Sequence, residues 1–431
     1  MVEDAIFIDT PVMVPHTVFN ASGHIARFYD IGAECPSCHT KQKLETILNY
    51  NNITFPVNDI AGAQEVLETH IVKCPVCGAR ITEAKEFYQM FRLPGQGSSG
   101  DLYLRPETAQ GIFVNFKLLN NVNRGRIPMV TAQYGKGFRN EISPRQSLIR
   151  LREFSQGEVE VFVHPKRKYW KDLPVTGDIM VLTKNGAKAD RSVIDLYSQG
   201  IFSSNALSYF INKTREILLN IGIRPDGIRF RQHRDDERAH YSRDSWDAEV
   251  LIDSDWVEIV GIADRDDLKN HETMSGESMH VKIGDEEFIP SIIEPSYGID
   301  RMVLAVMMHS FYIRENGYKV MRFKPEVAPY HAAVLPLVNR EGLDTLAESF
   351  FNRLRSIDPY VVYDKSGSIG RRYARQDEIG TPLCITFDMD SLKDGTVTVR
   401  DRDTTRQIRL NSDELLTKSL VKEVPGLIPA P

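Results

Sequence analysis

Residues 138–158, FRNEISPRQSLIRLREFSQGE, set the tightest limit on what this chain can become, because they place arginines, an aromatic ring and carboxylates on a strand, a loop and a second strand. Phe138 and Arg139 close a β-prone run, Pro144 breaks it into a loop, and Arg150 to Phe154 resumes an extended pattern ending in Glu158. A guanidinium forks onto phosphate or carboxylate, and a ring such as Phe154 stacks on a purine. The segment reads as equipment for holding a nucleotide, with a charged hairpin exposing one face as the alternative.

A second segment, EPSYGIDR at 294–301, leads into the apolar run MVLAVMMHSF. Helical spacing after Gly298 puts Arg301 at the opening of a helix and predicts that this helix is buried. Together the two segments resemble motifs 2 and 3 of the class II aminoacyl-tRNA synthetases. The words LRPETAQGIFVNF (104–116), RFRQH (229–233), AHYSRDSWD (239–247), WVEIVGIADR (256–265) and EPSYGIDR are similar to those of the glycyl-tRNA synthetases in particular. The resemblance runs from about Asp9 to about Arg409.

The order of strands with inserted helices up to about residue 324 suits an antiparallel-sheet domain of α+β type, and from Ala332 onward apolar strands alternate with a helix at 341–356 as in a smaller α/β domain. The resemblance makes these a class II catalytic domain (1–324, with a zinc-binding insertion at 34–80 and a largely helical insertion at 166–225) and an anticodon-binding domain (325–431). The activity it implies is ATP-dependent activation of glycine to glycyl-adenylate, then transfer to tRNA(Gly). It assigns Arg139 and Arg301 as catalytic, with Arg139 on the α-phosphate and the amino-acid carboxylate, Arg150 and Arg301 on the β- and γ-phosphates, Phe154 on adenine and Glu141 on the adenine amino group. Mg2+ would bridge the phosphates, with Glu249 or Glu258 as ligands. Glu107, Glu158, Glu258 and Glu294 would converge on the glycine ammonium, with Ser296 beside the α-carbon. Two other readings share the scaffold: a sister class IIa synthetase, and a non-catalytic nucleic-acid-binding paralogue. The paralogue has no reason to keep Arg139, Glu141, Arg150 and Arg301 together.

Four of the five cysteines form Cys35-x-x-Cys38 and Cys74-x-x-Cys77. Two such knuckles supply four thiolates for a structural Zn2+ with no open position, so no catalysis is assigned there. His39 reads as a neighbour of the site, and the residues between the pairs must fold as a unit. Cys384, in an apolar run, reads as a buried core thiol.

Three features exclude or narrow other classes. The net charge of −6 gives no global basic signature, so nucleic-acid contacts must be local. In the carboxy-terminal part, Arg371, Arg372 and Arg375, and the alternating Arg400, Arg402 and Arg406, are candidates for phosphate contact, with a salt-bridged sheet face as the alternative. No apolar run is long enough for a membrane span and no basic leader precedes one, so the chain reads as cytoplasmic with no membrane partner. Gly95, Gly97 and Gly100 match a dinucleotide pattern, but they lead into an extended run and are read as a flexible loop. The resemblance also implies a long helix ahead of FIDTPVMVP (7–15), forming most of motif 1 and much of a homodimer interface in the full-length form. Its absence leaves a downstream start, a fragment or a paralogue that has lost charging.

Overall fold

Runs of β-branched and aromatic residues build one large sheet, and a computed structural model describes it within residues 5–428, except 55–58, 96–99, 145–146, 176, 236, 238–241, 267 and 341. The chain divides into two units: Met1–Arg215, Arg229–Val250 and Trp256–Met302; and Glu216–Ile228, Leu251–Asp255 and Val303–Pro431. The glycine-rich segment 95–100 falls largely outside the described residues.

The sheet of the first unit has nine strands: β1 (Ile6–Phe7), β2 (Met129–Phe138), β3 (Glu153–Val163), β4 (Ile179–Leu182), β5 (Lys188–Arg191), β6 (Ile228–Gln232), β7 (Ser242–Ile252), β8 (Asp255–Arg265) and β9 (Ser291–Gly298). Their spatial order is β1-β2-β3-β9-β8-β7-β6-β4-β5. The centre is antiparallel, β2 with β3, β3 with β9 and β9 with β8, while β1 joins β2 and β4 joins β6 in parallel. Helices α1 (Ala109–Phe113) and α2 (Phe116–Val122) pack Ile112, Phe113, Phe116 and Leu119 against Met129, Phe162 and Ile292, closing a core over one face.

Register fixes what faces what. Glu158 lies opposite Gln133 on one side and Ser296 on the other, and Ser296 opposite Gly261, so one cross-strand row runs through β2, β3, β9 and β8. Gln156 sits opposite Gly135, and Phe154 opposite Gly137. A methyl on Gly137 would meet the Phe154 ring at 2.7 Å, so the bare backbone is what lets the ring lie across the strand.

Two expectations change. The segment 166–225 is mixed: β4 and β5 form a hairpin ahead of Val193–Ser198 and α3 (Asn205–Asn220). Its turn is Asn185-Gly186, with Gly186 at φ +80° and Thr183 N–H donating to Ala187 O at 2.9 Å, a hairpin signal that the surrounding polar residues mask. The helix opened by Arg301, α4 (Ile299–Ser310), is not buried, since Val303, Met307 and Met308 are 49%, 45% and 39% exposed. Its apolar stripe is wider than the face this chain covers.

The second unit holds a five-stranded sheet ordered β11-β10-β12-β13-β14, from β10 (Ala332–Pro336), β11 (Val361–Tyr363), β12 (Leu383–Phe387), β13 (Thr396–Asp401) and β14 (Gln407–Asn411). Helix α5 (Leu343–Ile357) lays Leu343, Ala347, Phe350 and Leu354 on one face of it. On the other, Ala333, Leu335 and Cys384 meet Ile369 and Tyr373 of α6 (Ile369–Ile379). Cys384 is a buried core thiol, which burial pushes up to about 12.

Candidate active site

Alternation along β3 sends Phe154, Gln156 and Glu158 to one face, and two adjoining cavities open over that face. One, of about 110 Å³, is walled by Arg139, Glu141, Arg150, Phe154, Glu258 and Arg301 among others. The other, of about 230 Å³, is walled among others by Glu107, Glu158, Glu258, Glu294 and Ser296. The residues expected to hold nucleotide thus gather in one, and those expected to hold amino acid in its neighbour. Arg139, Gln156, Glu258 and Ser296 belong to both walls.

In the first cavity the arginines are anchored before any ligand arrives. The Arg139 guanidinium lies 5.4 Å from the Phe28 ring and 5.3 Å from the Phe154 ring, and its Nε donates to Pro106 O at 3.3 Å. Arg301 Nε donates to Ile149 O at 2.9 Å and its Nη1 to Glu258 O at 2.7 Å, which holds the side chain although α4 itself is partly exposed. Arg150 is a looser neighbour, its Nε 3.8 Å from Glu141 Oε2.

The second cavity concentrates negative charge. Glu107, Glu158 and Glu294 are 7%, 1% and 6% exposed. Thr108 Oγ1 donates to Glu158 Oε2 at 2.5 Å, Gln156 Nε2 to Glu158 Oε1 at 2.7 Å and to Ser296 Oγ at 2.6 Å, and Gln110 Nε2 to Glu107 Oε1 at 2.7 Å. The fully buried Arg265 donates to Glu294 and stacks 4.7 Å from the Phe113 ring. His24 Nε2 stands 3.6 Å from Glu107. Arg105, 3% exposed, pins the loop carrying Glu107 through Lys136 O at 2.9 Å and Thr10 O at 2.8 Å.

These surroundings split the three carboxyls. Burial works to raise Glu107, but His24, Arg265 and Gln110 outweigh it and hold this carboxyl well below the usual range. Burial, then the Glu107 charge, raises Glu158. Burial against the opposing pull of Arg265, with Glu158 and Glu107 adding to it, pushes Glu294 up to about 8. Such a pocket is short of positive charge and suits a small ammonium.

Sequence reasoning missed Gln156, Thr108, Gln110, His24 and Arg105. The first was findable by period-two alternation between Phe154 and Glu158, and Thr108 lies beside Glu107, whereas His24 is brought in only by the fold. Glu249, one of two candidates for magnesium, is spoken for: its oxygens accept from Arg229 Nε at 2.5 Å and Arg231 Nε at 3.0 Å.

The cysteine knuckles converge. Sγ atoms of Cys35 and Cys77 lie 3.5 Å apart, those of Cys38 and Cys74 3.7 Å apart, and all four fall within 4.8 Å. A tetrahedral zinc with Zn–S near 2.3 Å separates its sulfurs by about 3.8 Å, so the donor set fits that ion. Both knuckles turn at a positive φ, His39 at 56° and Gly78 at 73°, with N–H bonds of 2.9 Å back to Cys35 O and Cys74 O. His39 stays outside the cluster, pairing at 3.5 Å with Glu34. Leu44, Ile47, Leu48, Val66 and Leu67 give this insertion its own core.

In the second unit three of the six arginines offered for phosphate contact are internal. Arg372 donates to Pro336 O at 2.5 Å and Leu337 O at 3.2 Å, Arg400 forms a two-pronged pair with Asp377 at 2.8 and 2.9 Å, and Arg402 reaches Gly380 O at 2.8 Å and Phe323 O at 2.7 Å. All three are at most 6% exposed, so they hold the fold and cannot meet RNA. Arg371, Arg375 and Arg406 are exposed, and Arg375 is paired with Asp364.

A family profile described as "tRNA synthetase class II core domain (G, H, P, S and T)" matches residues 91–310, and one described as "Anticodon binding domain" matches 331–423. Glycine–tRNA ligases of Archaeoglobus fulgidus and Methanothrix thermoacetophila are 38% and 36% identical, covering 98% and 94% of this chain and 88% and 85% of theirs. The first alignment has 510 positions against 431 residues here, so at least 79 of them (510 − 431) face gaps in this chain. The prolyl-tRNA synthetase of Cryptosporidium parvum shares the fold at a TM-score of 0.56 and 12% identity, covering 98% of this chain and 65% of that one.

Proposed function

The chain belongs to the glycine–tRNA ligases of class II, and on that premise we propose that it activates glycine with ATP as glycyl-adenylate and passes the glycyl group to tRNA(Gly). The observation that carries this reading is the wall common to both cavities, where a nucleotide in one and an amino acid in the other meet.

A glycine carboxylate oxygen attacks the α-phosphorus and pyrophosphate leaves. The nucleophile is already ionised, so alignment and neutralisation of charge are what the protein supplies. Arg139, on the shared wall, spans the α-phosphate and the glycine carboxylate. Arg150 and Arg301 hold the outer phosphates, Phe154 stacks on adenine, and Glu141 accepts from the adenine amino group. Glu107, Glu158 and Glu294 hold the ammonium while Ser296 stands beside the α-carbon. Magnesium would neutralise phosphate charge, and Glu258, half exposed where the cavities join and only 3.4 Å from Arg301 Nη1 through Oε2, would be the carboxylate to hold it. Cys35, Cys38, Cys74 and Cys77 would hold a structural zinc.

The second unit receives the anticodon arm, with Arg371 and Arg375 of α6 facing phosphate. The protein acts as a cytoplasmic homodimer. An uncovered apolar stripe supports that reading, Val114, Leu118 and Val122 being 47%, 59% and 61% exposed, and light scattering of the purified chain tests it. Among the described residues no helix is long and apolar enough to cross a membrane.

Pyrophosphate exchange with glycine beside alanine, threonine and proline, followed by charging of tRNA(Gly), tests the activity. Exchange is expected with glycine alone. Its absence removes the enzyme reading, and exchange with another of the three assigns a sister specificity.

A further inference from the structure

The cysteine-bearing insertion reaches the nucleotide cavity through a small sheet of its own. Strand Tyr29–Glu34 pairs antiparallel with Lys41–Lys43 on one side and with Lys85–Tyr88 on the other. Cys35 and Cys38 lie in the turn between the first two strands, closed by Cys35 N–H donating to Thr40 O at 3.0 Å, and Cys74 and Cys77 precede the third. Both knuckles are therefore continuous with this sheet.

Two hydrogen bonds carry the sheet to residues 140–143. The N–H of Asn140 donates to Gln89 O at 2.6 Å, and Ser143 Oγ donates to Lys41 O at 3.0 Å. Glu141 lies between these two attachments, with its side chain in the wall of the nucleotide cavity. Both attachments meet at Asp30, whose Oδ1 accepts from Lys43 Nζ at 2.7 Å and whose Oδ2 accepts from Gln89 Nε2 at 2.5 Å. The Gln89 side is further fixed by its N–H donating to Phe28 O at 3.1 Å, beside the ring that stacks on Arg139.

A carboxylate selects an amino group only if it is held within hydrogen-bond distance of it, and a side chain on a loop is held no better than its backbone. Charged acceptors make the stronger bonds, so Asp30 is the strongest single link in this chain of contacts. We propose that Asp30 is a positioning residue for selection of the base. Through Gln89 and Asn140 on one side, and Lys43, Lys41 and Ser143 on the other, it holds Glu141 where it accepts from the adenine amino group. The four cysteines then support base recognition as well as the core of the insertion, without touching substrate.

The inference rests on the reading of Glu141 as the acceptor for adenine, and equilibrium binding of two nucleotides in the presence of Mg2+ keeps the two apart. One is ATP, and the other is purine riboside triphosphate, which is ATP without the amino group. The unmodified protein should prefer ATP by about tenfold. In Asp30→Ala, ATP binding should weaken about tenfold while the analogue stays within about twofold, and Asp30→Asn, which keeps an acceptor, should fall between. Ser143→Ala, which removes one hydroxyl and leaves the insertion's core intact, should weaken ATP about threefold with the same selectivity. Protein stripped of zinc should behave as Asp30→Ala, and Zn2+ alone should restore the preference. Hydrogen exchange should show the Asn140 amide less protected in Asp30→Ala and in the stripped protein. Unchanged ATP binding in Asp30→Ala and Ser143→Ala overturns the proposal. Equal weakening of both nucleotides also overturns it, and assigns Asp30 to the fold of the insertion alone. An unmodified protein that binds both nucleotides equally strikes the parent reading of Glu141, and the proposal with it.

Discussion

The backbone N–H of Ser155 donates to Asp300 Oδ2 at 2.5 Å, tying the residue after Phe154 to the residue before Arg301. Asp300 also lies in the first turn of α4, where a carboxylate is favoured by the helix dipole. One side chain therefore sets the spacing between the ring that receives the base and the guanidinium that receives the phosphates.

Asp300→Ala should raise the KM for ATP about tenfold and leave that for glycine within about twofold, because a lost charged acceptor costs about 1.5–3 kcal/mol and only the nucleotide side is disturbed. Steady-state exchange with each substrate varied in turn checks this. An equal rise in both constants would show that the bond supports the whole sheet instead.

Arg139→Ala and Arg301→Ala should each slow exchange by about 10²–10³, the usual effect of removing one preorganised donor from a charged transition state. Circular dichroism should show both variants folded. Near-normal exchange in either would remove that residue from the site.

Glycine binding should release protons. With Glu294 pushed up to about 8 and Glu158 also raised, the free pocket retains protons that an incoming ammonium displaces. Affinity for glycine should then improve as pH rises towards about 8, by up to about tenfold per unit for each proton released. The sign for stability is the reverse. Between the ordinary value of 4.5 and about 8 the unfolded Glu294 has lost a proton that the folded one keeps, so the ligand-free protein should lose stability as pH rises through that window. Calorimetry in buffers of different ionisation enthalpy counts the protons, and a pH-independent affinity with none released would contradict the assignment.

Metal analysis should find about one zinc per chain, and removing it with a strong chelator should unfold the Leu44–Leu67 core before the nine-stranded sheet. Cys74→Ser should reproduce the effect. Full retention of metal by that variant would exclude Cys74 as a ligand.

Arg400→Ala should leave exchange unchanged and destabilise the second unit by about 1.5–3 kcal/mol, because Asp377, 2% exposed, loses its two-pronged partner and keeps only Arg314, whose Nη1 donates to Oδ2 at 2.7 Å. Denaturant titration measures the loss. Normal stability with weakened tRNA binding would restore the arginine to the RNA surface.

What could be read from the sequence follows from how local each cause is. Arg139, Phe154 and Glu158 lie within one strand, loop and strand, so residue type and period two were enough to suggest a common site. His24, on a short helix (His24–Arg27), and Arg265, at the end of β8, lie far from the acids in sequence, and only the fold brings them there. Charge runs were the least informative: Arg231 and Arg400 look alike as letters, yet the first stands beside a cavity and the second is enclosed. The difference lies in burial, which an arginine can tolerate when carbonyls or a carboxylate take up its donors. The exposed α4 shows the converse, since apolar spacing identifies a face but not what covers it.

The wall formed by Arg139, Gln156, Glu258 and Ser296 has a consequence for redesign. A partition between two rooms cannot be moved for one tenant alone: enlarging the amino-acid side at any of these residues also changes how the nucleotide sits. Room for a bulkier substrate must come from residues that line the amino-acid cavity alone, such as Ile262 or Ala263. Selectivity and nucleotide affinity should therefore change together in variants of the partition and separately in variants of Ile262 or Ala263.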